Sequence, residues 1–406
     1  MGRPVSPSAR PLEGLRVLDL TRELRGAYCG RLLGEYGADV VLVEPPGRGN
    51  PWRHVGPYAG DHEHQEKSLF FLHYYANRRS VALDLGQPAG RDMLMTLARW
   101  ADVLIHDTTP SAAAASGLTA AALSAANPRL VVAALTAFGE TGPGRDLPGG
   151  DLIANAAGGL AALTGDPARA PLRPGGDQGE HITALHAAVA IMGAVLARDA
   201  GAPAAHVDVS ARESVASVLE NAMEFALMEE RLVARQNGRH PISWPGRIFP
   251  CLDGFVVISC GSAGQARACF TLIDDHATAA DPVLEDRDVR RAHADELEAR
   301  LIAGFRDRPR DDLFHQGQAL GIPIGVVHSV ESLLEDPQLV AYDFFHHGEH
   351  PDVGRYVDAG PPFLVDGQAP GYARAPRLGE HTAAVLREAG VEEAVRQRLE
   401  REGIVA

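Results

Sequence analysis

The chain has 406 residues, 45% hydrophobic and 22% charged, with a formal net charge of −15 and a single lysine, Lys67, among its 38 basic residues. That length predicts two structural units, and an acidic chain without clustered Lys and Arg excludes a nucleic-acid surface. No apolar run reads as long enough to span a bilayer, and Met1 to Arg10 lacks the apolar core of a secretory signal, so a cytoplasmic chain with no membrane contact is expected.

The apolar runs Leu15 to Leu20 and Val40 to Val43 bracket one helix's worth of residues, which predicts strand, helix, strand with a parallel crossover. Ser80 to Leu85 predicts a further strand. Pro88 to Trp100 places Met93, Leu94, Leu97 and Trp100 on one helical face. Val103 to Ile105 and Leu130 to Leu135 are predicted strands, with an Ala-rich helix over Ser111 to Ala126 between them. A long apolar helix over Gln178 to Arg198, a strand at His206 to Val209 and a second long helix over Arg212 to Arg235 follow. Strands alternating with helices imply an α/β fold, a mostly parallel sheet covered on both faces. Near Gln236 the character changes. Asp253-Gly254 is predicted to join Arg247-Ile-Phe to Phe255-Val-Val-Ile-Ser as a hairpin, with helices around Gln265 to Ile273, Arg290 to Phe305 and Arg310 to Leu320. The division expected is a large α/β domain over 1–210, a linker helix over 211–236 and a smaller α+β domain over 237–325.

Cys29, Cys251, Cys260 and Cys269 have no pair at metal-ligand spacing and read as reduced, structural thiols. His346, His347 and His350 read as a solvated polar loop rather than a metal cluster, and no metal is expected. In Pro171-Leu-Arg-Pro-Gly-Gly-Asp177-Gln-Gly-Glu-His, two glycines permit close approach of a ligand, and a carboxylate at a helix start faces unpaired N–H groups. The same features describe an ordinary Asp N-cap.

The stretch Leu12 to Arg53, with Gly321-Ile-Pro-Ile-Gly-Val-Val, Ser332-Leu-Leu-Glu-Asp-Pro-Gln-Leu and Ala375-Pro-Arg-Leu-Gly-Glu-His-Thr, resembles the class III CoA-transferases across essentially the whole chain. The resemblance implies a large Rossmann-like parallel-sheet domain plus a smaller α+β domain. It also implies a terminal segment, 326–406, that returns to the large domain, and a homodimer of interlocked rings. It implies an enzyme that moves coenzyme A from an acyl-CoA to a carboxylic acid, with Asp177 as nucleophile in an acyl-aspartyl anhydride. Leu24, Arg25, Arg48, Arg53, Asn77, Arg78 and Leu83 fall at CoA-binding positions, and Gly175, Gly176, Gly261 and Gly264 at oxyanion or lid positions. The racemase branch has a histidine where this chain has Gly150, so two-base epimerisation by that route is not expected; His181 reads as structural.

Several positions depart from the family pattern. Leu42 stands for a lysine, Asp107 for an asparagine, Ala115 lies in the Ala112 to Ala115 run that has replaced a basic position, and Leu147 stands for an arginine. Arg25-Gly26-Ala27 replaces Ala-Gly-Pro. The departures open two alternatives, a descendant using a non-standard acyl donor and a non-catalytic subunit of a hetero-oligomer.

Overall fold

The computed structural model describes residues 10–219, 222–230, 232–240 and 242–406. Six strands, β1 (Arg16–Asp19), β2 (Asp39–Glu44), β3 (Arg78–Ala82), β4 (Val103–His106), β5 (Val131–Thr136) and β6 (His206–Ser210), form one sheet in the order β3-β2-β1-β4-β5-β6. Every pairing is parallel. The strands β1, β2, β4 and β5 read as apolar runs because both of their faces are covered. Leu18, Val41, Val81, Leu104 and Val132 pack against the Pro88–Trp100 helix and the C-terminal helices Thr382–Glu388 and Glu393–Arg401. Val17, Val40, Ile105, Ala133 and Leu135 pack in a second cluster with residues of the helices Leu24–Glu35 and Gln178–Asp199.

The chain divides into two compact units, one of residues 1–160, 173–223 and 340–406, the other of residues 161–172 and 224–339. The second unit is built on an antiparallel sheet, β7 (Gly246–Cys251), β8 (Gly254–Ser259) and β9 (Ile324–Val326), in that order. Val256 and Ile258 of β8 are buried, whereas Phe255 and Val257 face outward, the alternation of a half-covered sheet. Helices Ala263–Leu272, Ala294–Phe305 and Arg310–Ala319 cover its inner face, with Phe249, Phe270, Phe305 and Leu313 at the centre. The four cysteines are free thiols, and all but Cys251 are buried.

Four expectations are corrected. The Ala-rich helix is two helices, Pro110–Ser116 and Ala120–Ala126, broken at Gly117 and restarted by a Thr119 cap. The second long helix ends at Ala216 and a separate helix spans Ala222–Met228; residues 220, 221 and 231 of the expected span lie outside the described residues. No residue of the Ala222–Met228 helix is buried, and Leu227, Met228 and the following Leu232 are exposed, so no apolar stripe there is anchored by packing. His346, His347 and His350 lie on a strand, β10 (Phe345–His350), paired antiparallel with β11 (Gly354–Ala359), and His350 is buried. Within the first unit the hairpin is tied to the Leu24–Glu35 helix and to His73 through Asp358, which meets Arg31 at 3.1 Å and His73 at 2.6 Å. Finally, the Gln178–Asp199 helix is long and apolar enough to cross a membrane by length and composition, contrary to the sequence reading. Here Ala184, Ala187, Ile191 and Val195 bury one side of it against the sheet.

At the carboxyl end of β4 the Asp107 carboxylate accepts hydrogen bonds from the backbone N–H of Arg22, at 2.5 Å, and Glu23, at 2.6 Å, where the Leu24–Glu35 helix begins. Burial pushes this carboxyl up to about 6, against the opposing pull of Arg25 and the two N–H groups. An unfolded aspartate ionises near pH 3.9, so the folded chain holds this proton more tightly than the unfolded one. The stability it supplies is complete below about pH 4 and is lost as pH rises to about 6. Urea unfolding of Asp107→Asn should therefore show an advantage over wild type that grows from pH 4 to 6 and is flat above; a pH-independent difference would contradict this.

Close packing of helix on strand gives a second test. A Cβ at Gly90 would lie 1.8 Å from the backbone oxygen of Asp84. Gly to Ala in a helix ordinarily stabilises by roughly 0.5–1 kcal/mol. Gly90→Ala should instead destabilise by about 1–3 kcal/mol in urea titration, because backbone must move.

Candidate active site

The loop Arg173 to Asp177 leads into the long helix Gln178–Asp199, and Asp177 occupies its N-cap position without a side-chain cap bond. The cap comes from elsewhere. Asp151, on the neighbouring helix Asp151–Ala157, accepts the Gly179 N–H at 2.8 Å through Oδ1. Asp177 is thus relieved of the duty that usually places an Asp at a helix start. Its side chain is 29% exposed, and its ion-pair partner is Arg173, whose Nη1 lies 3.4 Å from Asp177 Oδ1 and 3.5 Å from Asp151 Oδ2.

One turn on, His181 donates from Nδ1 to the Asp177 carbonyl at 2.8 Å, which leaves Nε2 to accept from the Tyr74 hydroxyl at 3.1 Å. Burial pulls the imidazole below its ordinary value, so the ring is neutral at pH 7. Burial and the nearby Asp177 charge push the Tyr74 hydroxyl up to about 12. The pair is a hydrogen-bonded support for the Asp177 backbone. A second carboxylate in the same turn, Glu180, is 3% exposed and bonded to Arg25 through Nη1 at 2.7 Å and the backbone N–H at 2.9 Å. Arg25 also donates to the Leu135 carbonyl at 2.8 Å.

The structure scatters the remaining sequence-predicted positions. Arg53 is fully buried, held by Glu44 at 2.7 Å and Glu66 at 2.7 Å, with its guanidinium 3.8 Å from the Phe71 ring centroid. Arg78 is buried against Asp19 at 2.6 Å and stacks over Tyr75. Leu24 and Leu42 lie in an apolar cluster with Phe71 and Tyr75, so a lysine at position 42 would point its amine into the core. Asn77, at the amino end of β3, binds Ala373 of the returning segment by both its backbone N–H and its side-chain oxygen. Arg48 is exposed, as are Ala115 and Leu147. Gly175 and Gly176 adjoin Asp177 in the exposed loop. Gly261 and Gly264 belong to the second unit, where the Gly261 N–H is already used by Gln265 at 2.9 Å. A Cβ at Gly150 would meet nothing within 4 Å, so packing does not require a glycine there.

Open sheets of this kind bind ligands outside the carboxyl ends of their strands. In the first unit a cavity of about 190 Å³ lies there, lined by Leu20, Arg22, Val43, Pro45, Leu83 and Leu85 with other residues at the ends of β1, β2 and β3. Leu83 was expected at a ligand; Arg22 was not, since nothing in the sequence separates it from other surface arginines. No group of three or more His, Cys, Asp or Glu able to hold a metal occurs among the described residues.

The sequence profile of CoA-transferase family III matches residues 12–382. The chain is 30% identical to the succinate–glutarate CoA-transferase of Agrobacterium fabrum, covering 93% of this chain and 95% of that one. It is also 30% identical to the acetyl-CoA:oxalate CoA-transferase of Acetobacter aceti, over 96% and 98% of the two chains. Among solved structures, a CaiB/BaiF family protein from Brucella suis superimposes with a TM-score of 0.82 at 29% identity, covering 93% of this chain and 99% of that one. Sequence and fold converge: the chain belongs to CoA-transferase family III, enzymes that act on CoA thioesters.

Proposed function

We propose that the chain transfers CoA between two carboxylic acids through covalent intermediates on Asp177. The observation that carries this is the Asp151 cap, which leaves the Asp177 carboxylate partly exposed and its oxygens free of backbone bonds. The Asp177 oxygen attacks the thioester carbonyl, the C–S bond breaks, and CoA leaves as thiolate from an acyl-aspartyl anhydride. The thiolate attacks the aspartyl carbonyl, releasing the donor acid and leaving an aspartyl thioester. An acceptor carboxylate displaces the thiolate to form a new anhydride, and the thiolate takes the new acyl group, restoring Asp177. The N–H groups of Gly175 and Gly176, which adjoin Asp177 in the loop, are candidates for stabilising the tetrahedral oxyanions.

CoA is held at the carboxyl ends of the strands, its nucleotide against Leu83 and its phosphates against the exposed Arg22 and Arg48. Arg25, Arg53 and Arg78 act indirectly, by fixing the Glu180, Glu44 and Asp19 carboxylates that shape this edge. The enzyme works in the cytoplasm as an interlocked homodimer. The exposed Leu185, Val189 and Leu196 on the outer side of the long helix support association through that helix.

The Arg25–Glu180 pair favours a second reading, in which Glu180 is the reacting carboxylate and Arg25 its partner in a chain adapted to another acyl donor. Asp177→Ala should retain the wild-type unfolding midpoint and lose CoA exchange between acyl-CoA and free acids by at least about a thousandfold. Retained exchange in Asp177→Ala, with loss in a folded Glu180→Gln variant, would move the chemistry to Glu180.

A further inference from the structure

Among the described residues, Arg173 is the cation that forms an ion pair with Asp177, and it holds a second partner in the buried Asp151. In the resting enzyme its guanidinium thus lies between two carboxylates. Acylation removes one of those charges. Whether Asp177 carries an acyl group or CoA, it is an uncharged anhydride or thioester, and Arg173 keeps Asp151 alone. The cation is therefore least satisfied at the stage when an anionic acceptor must arrive. Its Nη1 lies 3.4 Å from an Asp177 oxygen, so an acid held on the same nitrogen would sit beside the aspartyl carbonyl carbon.

We propose that Arg173 is the binding residue for the acceptor carboxylate, charged for that task by acylation of Asp177. The inference rests on Asp177 as nucleophile and extends it to the second half of the reaction. The acceptor oxygen forms a bond to the aspartyl carbonyl carbon, the C–S bond breaks, and CoA departs as thiolate. Arg173 exchanges the lost Asp177 charge for the acceptor's and returns to Asp177 when the carboxylate is regenerated. Because Arg173 is 42% exposed, an acid reaches it from solvent without disturbing the long helix. Asp151 keeps the guanidinium in place during the exchange, since its own charge never changes hands. The order of substrates follows: the acceptor binds well only after the donor has reacted.

The test loads the full-length enzyme with acetyl-CoA or succinyl-CoA labelled in the CoA moiety, removes excess donor, and measures release of label by glutarate or by neutral hydroxylamine in rapid-quench mixing. Both reagents attack the same carbonyl, but glutarate alone needs a cation. In Arg173→Gln, release by glutarate should slow about tenfold or more, the loss of one charge-assisted hydrogen bond, while release by hydroxylamine is unchanged. Arg173→Lys should recover part of the glutarate rate, and added salt should slow glutarate release in wild type but not in Arg173→Gln. Equal slowing with both nucleophiles, or no slowing with glutarate, would overturn the assignment. Absence of covalent CoA on the wild-type enzyme with either donor would instead overturn Asp177 as nucleophile, and the inference with it.

Discussion

The hydrogen bond from the Gly179 N–H to Asp151 decides what kind of residue Asp177 is. A helix of this length exposes unpaired N–H groups at its start, and some acceptor must satisfy them. If the N-cap side chain did so, Asp177 would be bound to its own helix and poorly placed to attack. Asp151 meets that need from 26 residues earlier in the chain. Asp177 then faces outward with the positive end of the helix behind it, Arg173 beside it, and His181 and Tyr74 fixing its carbonyl. The local order of the site follows from that one exchange of roles.

A second constraint is the placement of arginines. An acidic chain that handles a polyanion would be expected to keep its cations at the surface, yet Arg25, Arg31, Arg53 and Arg78 are all buried among carboxylates. A buried pair of this kind adds little net stability, but removing one partner leaves an uncompensated charge at a cost of about 3–5 kcal/mol. The arginines therefore act as joints. Arg25 links the start of the first helix to β5 and the long helix, Arg53 ties β2 to the following loop and to Pro376, and Arg31 secures the returning hairpin. Arg22 and Arg48, by contrast, are exposed, which is why the proposed phosphate contacts fall on them.

Much of this was legible in the amino-acid sequence where the signal was local. The apolar runs of β1, β2, β4 and β5 were visible because both sheet faces are covered, and the Pro88–Trp100 helix because one face repeats. The Asp253-Gly254 hairpin was visible from its turn. What failed depended on distant partners. Arg212 to Arg235 is rich in helix formers, but only its start, around Val215, is buried; its first helix ends at Ala216 and the next, Ala222–Met228, has no buried residue. His346 to His350 reads as polar loop, yet pairing with β11 and the Asp358 network makes it strand. The Asp151 cap, the tie from Arg53 to the Pro376 carbonyl and the use of Asn77 to hold Ala373 rest on contacts between segments far apart in the chain. Residue type alone made those arginines look like surface charges.

On the proposed mechanism Asp177, freed by Asp151, becomes an anhydride and then a thioester during turnover. Borohydride added during turnover with succinyl-CoA and glutarate reduces an activated aspartyl carbonyl to an alcohol, and fragmentation of the peptide spanning the long helix locates the change. The account predicts homoserine at Asp177 with Glu180 intact, and no reduction without the acyl-CoA. Reduction at Glu180 with Asp177 unmodified would contradict it.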